Sequence, residues 1–188
     1  MRITGGELRG RHLAHFKGSR IRPTSDRVRE AIFSLLGQDL RGVKVLDLFA
    51  GTGILGIEAL SRGAQGVVFV DHSRESIRLI ARNLVLCGYG GLGRVLEKDL
   101  TKGLPGRSAL MKGGVHLVFA DPPYRRGFLP RVLDGLGNGD ILESPATVVV
   151  EASKEDELPM GPGNLILVKT KIYGDTKICI YTRDGMEL

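Results

Sequence analysis

Long apolar runs are missing from this 188-residue chain: none approaches the ~20 residues needed to cross a bilayer, and no stretch of seven or more follows the basic N-terminal segment. A membrane-spanning helix and an export leader are therefore not expected, and a soluble cytoplasmic protein is. Cysteine is scarce as well. Cys87 and Cys179 stand far apart, with no CxxC or Cys/His spacing, which argues against a disulfide framework and a zinc site and leaves both thiols as core filler. Internal repeats and low-complexity segments are also lacking. The chain is too short for two ordinary enzyme domains but long enough for one substantial core, so a single α/β domain with a small appendage is expected.

Charge is present, but unevenly. Of the formal +6, residues 1–30 contribute +5, from eight basic side chains (Arg2, Arg9, Arg11, Lys17, Arg20, Arg22, Arg27, Arg29) against Glu7, Asp26 and Glu30; the rest of the chain is nearly balanced. Such a concentration suits a polyanion-binding arm. A solvated charged surface is the competing account. Residues 1–24 alternate short apolar pieces with Gly and Arg until Pro23, which suggests a small hairpin or irregular arm ahead of a main domain over residues 25–188. His12 and His15 in this arm are read as surface residues, and Lys154 to Glu157 as a solvated charge run.

From Ser25 the spacing turns helical, with Val28, Ala31, Ile32, Leu35 and Leu36 on one stripe, Ser25 as N-cap, Asp26 in the first turn and Gly37 as the stop. Strand and helix signals then alternate. Strands are expected at residues 43–48, 66–70, 94–97, 115–120 and 146–150; helices at 54–62, from a Ser73 cap through Ile77, Ile80, Ala81 and Leu84, and at 129–136. Residues 101–114 read as loop. Residues 165–173 and 176–182 form a hairpin signal around Gly174-Asp175. The alternation predicts a Rossmann-like, mostly parallel, doubly wound sheet, with the terminal hairpin adding antiparallel strands at one edge. Ligands of such sheets bind beyond the carboxyl ends of the strands. His116 falls within an apolar strand and is assigned to the core.

Two motifs fall at those carboxyl ends. The first is Asp47-Leu48-Phe49-Ala50-Gly51-Thr52-Gly53, where the glycines let backbone turn sharply and lie against a ligand. Gly51-Thr52-Gly53-Ile54-Leu55-Gly56 also fits the dinucleotide fingerprint, with Asp71 twenty positions after Gly51, so a nicotinamide-dependent oxidoreductase competes. Asp47 argues against it, because a carboxylate there repels a pyrophosphate and attracts the ammonium of an amino-acid moiety. S-adenosylmethionine fits that preference. Asp47, Phe49, Gly51 and Gly53 then form the methionine side of its site, Asp71 accepts from the ribose hydroxyls, and Asp99 lies near the adenine amino group.

The second motif, Asp121-Pro122-Pro123-Tyr124, is the sharper one. An exocyclic amino group on a base is a poor nucleophile, because its lone pair is delocalised into the ring. The Asp121 carboxylate and the Pro122 carbonyl can hold its two N–H groups and point the lone pair at an electrophilic methyl. The two prolines stiffen the segment, and Tyr124 offers a face for stacking an extruded base. Such a transfer needs no metal. A strand end closed by Pro-Pro, with Asp121 capping a turn, is the alternative account of the same residues.

Taken together, several segments resemble the bacterial small-subunit (16S) ribosomal RNA guanine-N2 methyltransferase family of the D type. They are Gly5-Gly6 with Arg9-Gly10-Arg11, the stretch Arg22-Pro23-Thr24-Ser25-Asp26-Arg27-Val28-Arg29-Glu30, residues 47–53, Leu60-Ser61-Arg62-Gly63-Ala64, Asn83-Leu84, residues 121–124 and Tyr173-Gly174-Asp175. The resemblance runs over nearly the whole chain, and the Pro-Thr-Ser-Asp-Arg-Val-Arg-Glu stretch is its specific part. It implies an S-adenosylmethionine-dependent methyltransferase fold and a guanine N2 acceptor in 16S ribosomal RNA, bare or within the small subunit; a monomer is expected. It also implies an arm gripping RNA through Arg9, Arg11, Arg20, Arg22 and Arg27, or part of Thr24 to Arg27 closing over the cofactor instead. Two positions depart from the family pattern: Leu8 stands where an aromatic is frequent and Asp71 where a glutamate is. Adenine-N6 nucleic-acid methylation, methylation of a glutamine side chain and a non-catalytic RNA-binding module remain alternatives, since any planar amino group fits the corner.

Overall fold

The computed structural model describes residues 1–16, 25–123 and 127–184. Helix α1 (Asp26–Leu36) begins where the Ser25 Oγ accepts from the Val28 N–H at 3.3 Å, and it ends at Gly37, whose φ of 90° no longer continues the helix. Its stripe of Val28, Ile32 and Phe33 is buried. Strands β1 (Lys44–Leu48), β2 (Gly66–Asp71), β3 (Gly93–Glu97), β4 (Val115–Ala120) and β5 (Leu142–Ser153) run parallel, connected by helices α2 (Ile54–Ser61), α3 (Arg74–Cys87) and α4 (Phe128–Asn138). Strand β6 (Ile166–Tyr173) and β7 (Thr176–Arg183) close the sheet in the order β3-β2-β1-β4-β5-β7-β6, with β7 antiparallel to both neighbours. Ser73 caps α3 through the Ser76 N–H, as its position predicts.

The strands covered on both faces read as nearly continuous apolar runs. Val45, Phe69, Phe119, Val149 and Ile180 pack with Ile32, Ile57 and Ile80 on one side; Leu46, Val68, Val118, Val148 and Tyr181 pack with Val132, Leu133 and Leu136 of α4 on the other. Cys87 and Cys179 are both buried free thiols. His116 Nδ1 accepts from the Lys44 backbone N–H at 3.2 Å, a strand-to-strand tie.

Three expectations change. Strand β5 is longer than residues 146–150: Glu143, Ser144 and Pro145 interrupt its apolar signal, while Glu151 to Ser153 stay extended because they pair with Ile178, Lys177 and Thr176 of β7. The segment 101–114 holds short 3₁₀ turns at Arg107–Ala109 and, overlapping its start, Leu100–Lys102, too brief for any periodicity. The N-terminal segment is built into the domain. Its ends pair as a hairpin, the Ile3 N–H donating to the Arg11 carbonyl at 2.9 Å and the Leu13 N–H to the Met1 carbonyl at 3.1 Å, with Ile3 and Leu13 in the core. It docks on the end of α2, where the Glu7 N–H reaches the Ser61 carbonyl at 2.7 Å and the Leu8 N–H the Ser61 Oγ at 2.9 Å. Gly6 is required there: its φ is +75°, and a Cβ would lie 1.9 Å from the Ser61 oxygen.

A buried ionic cluster holds this junction. Glu58 accepts from Arg29 Nε at 2.7 Å, from Arg62 Nη2 at 2.7 Å, from the Thr4 N–H at 3.2 Å and from the Thr4 hydroxyl. Arg29 is 0% exposed and also reaches Asp26 Oδ1 at 3.0 Å. Part of the basic charge counted over residues 1–30 is therefore spent inside, Arg29 on Glu58, while Arg2 pairs with Asp26 at 3.4 Å on the exposed surface.

Candidate active site

Strand register places the sequence-predicted acids along one edge. Val70, Leu48, Ala120 and Val150 lie level on β2, β1, β4 and β5. One residue further along each chain stand Asp71, Phe49, Asp121 and Glu151. Adjacent strands are about 4.8 Å apart, so Asp121 begins its corner next to the glycine loop that Phe49 opens.

The loop is tightly wound. Phe49, Gly51 and Gly53 have φ of 58°, 56° and 77°. A left-handed phenylalanine costs of order 1 kcal/mol or more, and such residues cluster at functional sites. The Phe49 ring packs 5.9 Å from that of Phe128, the first residue of α4, which ties the loop to the segment following Asp121. At Gly51 an added Cβ would meet nothing closer than 3.9 Å, so the backbone there borders open space.

Each predicted acid has its own environment. Asp47 is 2% exposed, accepts from the Gly56 N–H at 3.0 Å, and has its pKa pushed up to about 8 by burial, with the Gly56 hydrogen bond opposing and the Asp71 charge adding. Asp71 accepts from the Gly51 N–H at 2.9 Å and the Ser73 N–H at 2.8 Å, so it fixes the loop. Asp99, beyond β3, caps the following 3₁₀ turn through the Thr101 N–H at 2.9 Å and hydroxyl at 2.6 Å; those bonds hold its carboxyl below the usual range. Asp121 is half-buried and Pro122 buried, and Pro122 and Pro123 line a cavity of about 100 Å³. Tyr124 lies outside the described residues.

Of the predicted RNA contacts, Arg9, Arg11 and Arg27 are exposed, Arg11 reaching the Leu86 carbonyl; Arg20 and Arg22 lie outside the described residues. Among the described residues no group of His, Cys, Asp and Glu could hold a metal ion, and no helix is long and apolar enough to cross a membrane.

Three features escape sequence reasoning. Asn83, fully buried on α3, donates to the Thr52 carbonyl at 3.0 Å and the Ala14 carbonyl at 3.1 Å and accepts from the Ala14 N–H at 2.9 Å, so one side chain clamps the arm to the glycine loop. Glu151 stands one residue past the expected strand 146–150, as Asp121 stands one residue past 115–120; that position was the available signal. Asp156 and Glu157, read as part of a solvated run, line the same cavity as Pro122.

The strand order, the antiparallel β7 inserted beside β5 and the glycine loop define the Rossmann-like fold of S-adenosylmethionine-dependent methyltransferases, distinct from the all-parallel 3-2-1-4-5-6 order of dinucleotide-binding domains. An RNA methyltransferase from Salinibacter ruber, solved with S-adenosyl-L-homocysteine, shares that fold at 18% identity and a TM-score of 0.63 over 88% of this chain and 97% of that one. A family model described as conserved hypothetical protein 95 matches residues 1–182, and the chain belongs to this family. Ribosomal RNA small subunit methyltransferase D of Escherichia coli (strain K12) is 36% identical over 186 residues, 98% of this chain and 91% of the relative. YlbH of Bacillus subtilis (strain 168) is 36% identical over 185 residues, 98% of this chain and 100% of the relative. The solved yhhF protein of Escherichia coli superposes with a TM-score of 0.84 at 36% identity, covering 99% of both chains.

Proposed function

We propose that this protein is a ribosomal RNA methyltransferase that transfers the methyl group of S-adenosylmethionine to the exocyclic N2 of a guanine in 16S ribosomal RNA. Membership of a family with relatives named small-subunit ribosomal RNA methyltransferases supports the RNA class. One observation carries the site: Asp121 follows Ala120, which pairs with Leu48, so the acid-and-proline corner adjoins the glycine loop. The residues fit the methyl donor, since Gly51 leaves its backbone open to a ligand and Asp71 stands beside it for the ribose. Bound there, S-adenosylmethionine supplies an electrophilic sulfonium methyl. Asp47 lies behind the loop and favours the donor's ammonium once ionised, Phe49 and Gly53 shape the loop, and Asp99 serves the adenine end. Asp121 and the Pro122 carbonyl accept from the two N2–H groups, turning the nitrogen lone pair away from conjugation, and Tyr124 stacks the extruded base. Arg9, Arg11, Arg20, Arg22 and Arg27 hold the RNA backbone.

The test is incubation with labelled S-adenosylmethionine and 16S RNA, bare and in small subunits, followed by nucleoside mass analysis. N2-methylguanosine is expected; label on adenine N6, or none on RNA, overturns the proposal. D121A is expected to lower turnover by at least about 10²-fold, as loss of a preorganised polar group at the reacting centre does, while calorimetry finds S-adenosylhomocysteine affinity nearly unchanged. Retained turnover removes Asp121 from its role, and binding of NADH in place of S-adenosylhomocysteine would revive the oxidoreductase reading.

A further inference from the structure

The N-terminal hairpin does not meet solvent alone. Three contacts tie it to the C-terminal half of α3 and the turn that follows: Asn83 bonds both the N–H and the carbonyl of Ala14, the Leu86 carbonyl accepts from the Arg11 guanidinium, and the Tyr89 hydroxyl donates to Glu7 at 2.8 Å. Hairpin and outer side of α3 therefore form one surface. Helical spacing turns Ser76, Ile80, Asn83, Leu84 and Cys87 inward and leaves Arg78, Arg82, Val85 and Leu86 exposed. Arg78 and Arg82 stand one turn apart, about 6 Å along the axis. Leu86, whose carbonyl receives Arg11, lies one turn beyond Arg82.

No interaction inside the protein accounts for this pair. Among the described residues neither Arg78 nor Arg82 has an ion-pair partner, whereas Arg74 of the same helix is matched by Glu97 at 3.2 Å. Glu75, the one acid of α3, stands in its first turn and makes no ion pair with Arg78. The helix dipole does not favour them either, because its cation-binding last turn holds no basic residue. Like charges at i, i+4 also destabilise a helix.

An anionic partner with charges at a matching interval would compensate. Successive phosphates of one nucleic-acid strand provide it, and a guanidinium grips each through paired N–H groups. The direction of the row is equally informative. Helix α3 starts three residues after Asp71, which braces the Gly51 N–H, so Arg11, Arg82 and Arg78 lead from the hairpin towards the glycine loop. Val85 and Leu86, 75% and 46% exposed, add apolar surface beside the row for sugars and bases.

Resting on the proposal that the protein methylates RNA, we infer that Arg78 and Arg82 continue the RNA-binding face from the hairpin onto α3, each holding a phosphate of the strand that flanks the target nucleotide. They bind substrate and take no part in moving the methyl group.

The experiment measures binding of 16S RNA fragments to the full chain across a salt series, with methylation kinetics on the same fragments. R78A/R82A is expected to bind about tenfold more weakly at low salt and to raise KM for RNA. Its slope of log K against log salt is expected to fall by about 1.4, at roughly 0.7 per single-strand contact. S-adenosylhomocysteine affinity is expected to hold, which shows the fold intact. R78K/R82K keeps both charges and is expected to recover the slope. Unchanged affinity and slope in R78A/R82A overturn the inference. A defect that salt does not alter, or one that the lysine pair shares in full, also overturns it, by assigning this face to a contact other than phosphate, such as a protein. In each of these outcomes, guanine methylation by the wild-type protein leaves the proposed function standing. Failure of the wild-type protein to methylate any guanine overturns the function itself, whatever the salt slopes.

Discussion

Burial sets Asp47 apart from the other carboxylates along the strand ends, and its titration has a sign that can be measured. With its pKa raised from 3.8 to about 8, the folded state keeps a proton that the unfolded chain releases. Stability is therefore unaffected by this group below about pH 4, falls between pH 4 and 8 by as much as about 1.4 kcal/mol per pH unit, and levels off above. D47N carries no such proton, so denaturant melts across this range are expected to show the variant losing less stability with rising pH than the wild type. A parallel pH dependence in the two proteins would remove the effect. The amino acid type and spacing announced Asp47, Asp71, Asp99 and Asp121, because carboxylates directly after apolar runs are visible in one dimension. Their environments were not visible. Only the fold reveals that Asp71 also braces the Gly51 N–H, that Asp99 caps a turn, and that Glu151 stands level with Asp121.

Among the elements, those with local causes were legible: Ser25 and Ser73 as caps, Gly37 as a stop, and the terminal hairpin around Gly174-Asp175. The docking of the N-terminal hairpin on α2 was not, since its contacts join residues more than fifty positions apart and a charge count cannot tell a buried arginine from a solvated one. The Glu58 cluster makes this junction costly to disturb. E58A leaves Arg29 and Arg62 buried without their shared carboxylate, and a loss of about 3–5 kcal/mol of unfolding free energy is expected in denaturant titration. Less than about 1 kcal/mol, the surface value, would mean the cluster is solvated. N83A cuts the clamp between Ala14 and Thr52, and faster amide exchange at Ala14 together with weaker S-adenosylhomocysteine binding is expected. Unaltered exchange and affinity would show the two segments to be held independently.

Across the whole molecule, the alternation of strands and helices gave away a doubly wound sheet, while the order of its strands, and the position of β7 inside β6, depended on pairings that no local pattern encodes. The surface field follows from the same architecture. With Arg29 buried against Glu58, Arg9, Arg11 and Arg27 are the described arginines proposed for RNA that face outward at this end. Replacing these three by alanine is expected to weaken RNA binding and to lower the slope of log K against log salt by about 2, at roughly 0.7 per single-strand phosphate contact. An unchanged slope would take the RNA away from this face.

The hairpin docked on α2 also has a history in time. Thr4, Leu8 and Ala14 are synthesised before Glu58, Ser61 and Asn83, the groups that anchor them, which follow 54, 53 and 69 positions later. A nascent chain must therefore carry this segment unanchored until α3 has left the translating ribosome. Native contacts of such long range slow folding, so this hairpin is expected to dock late.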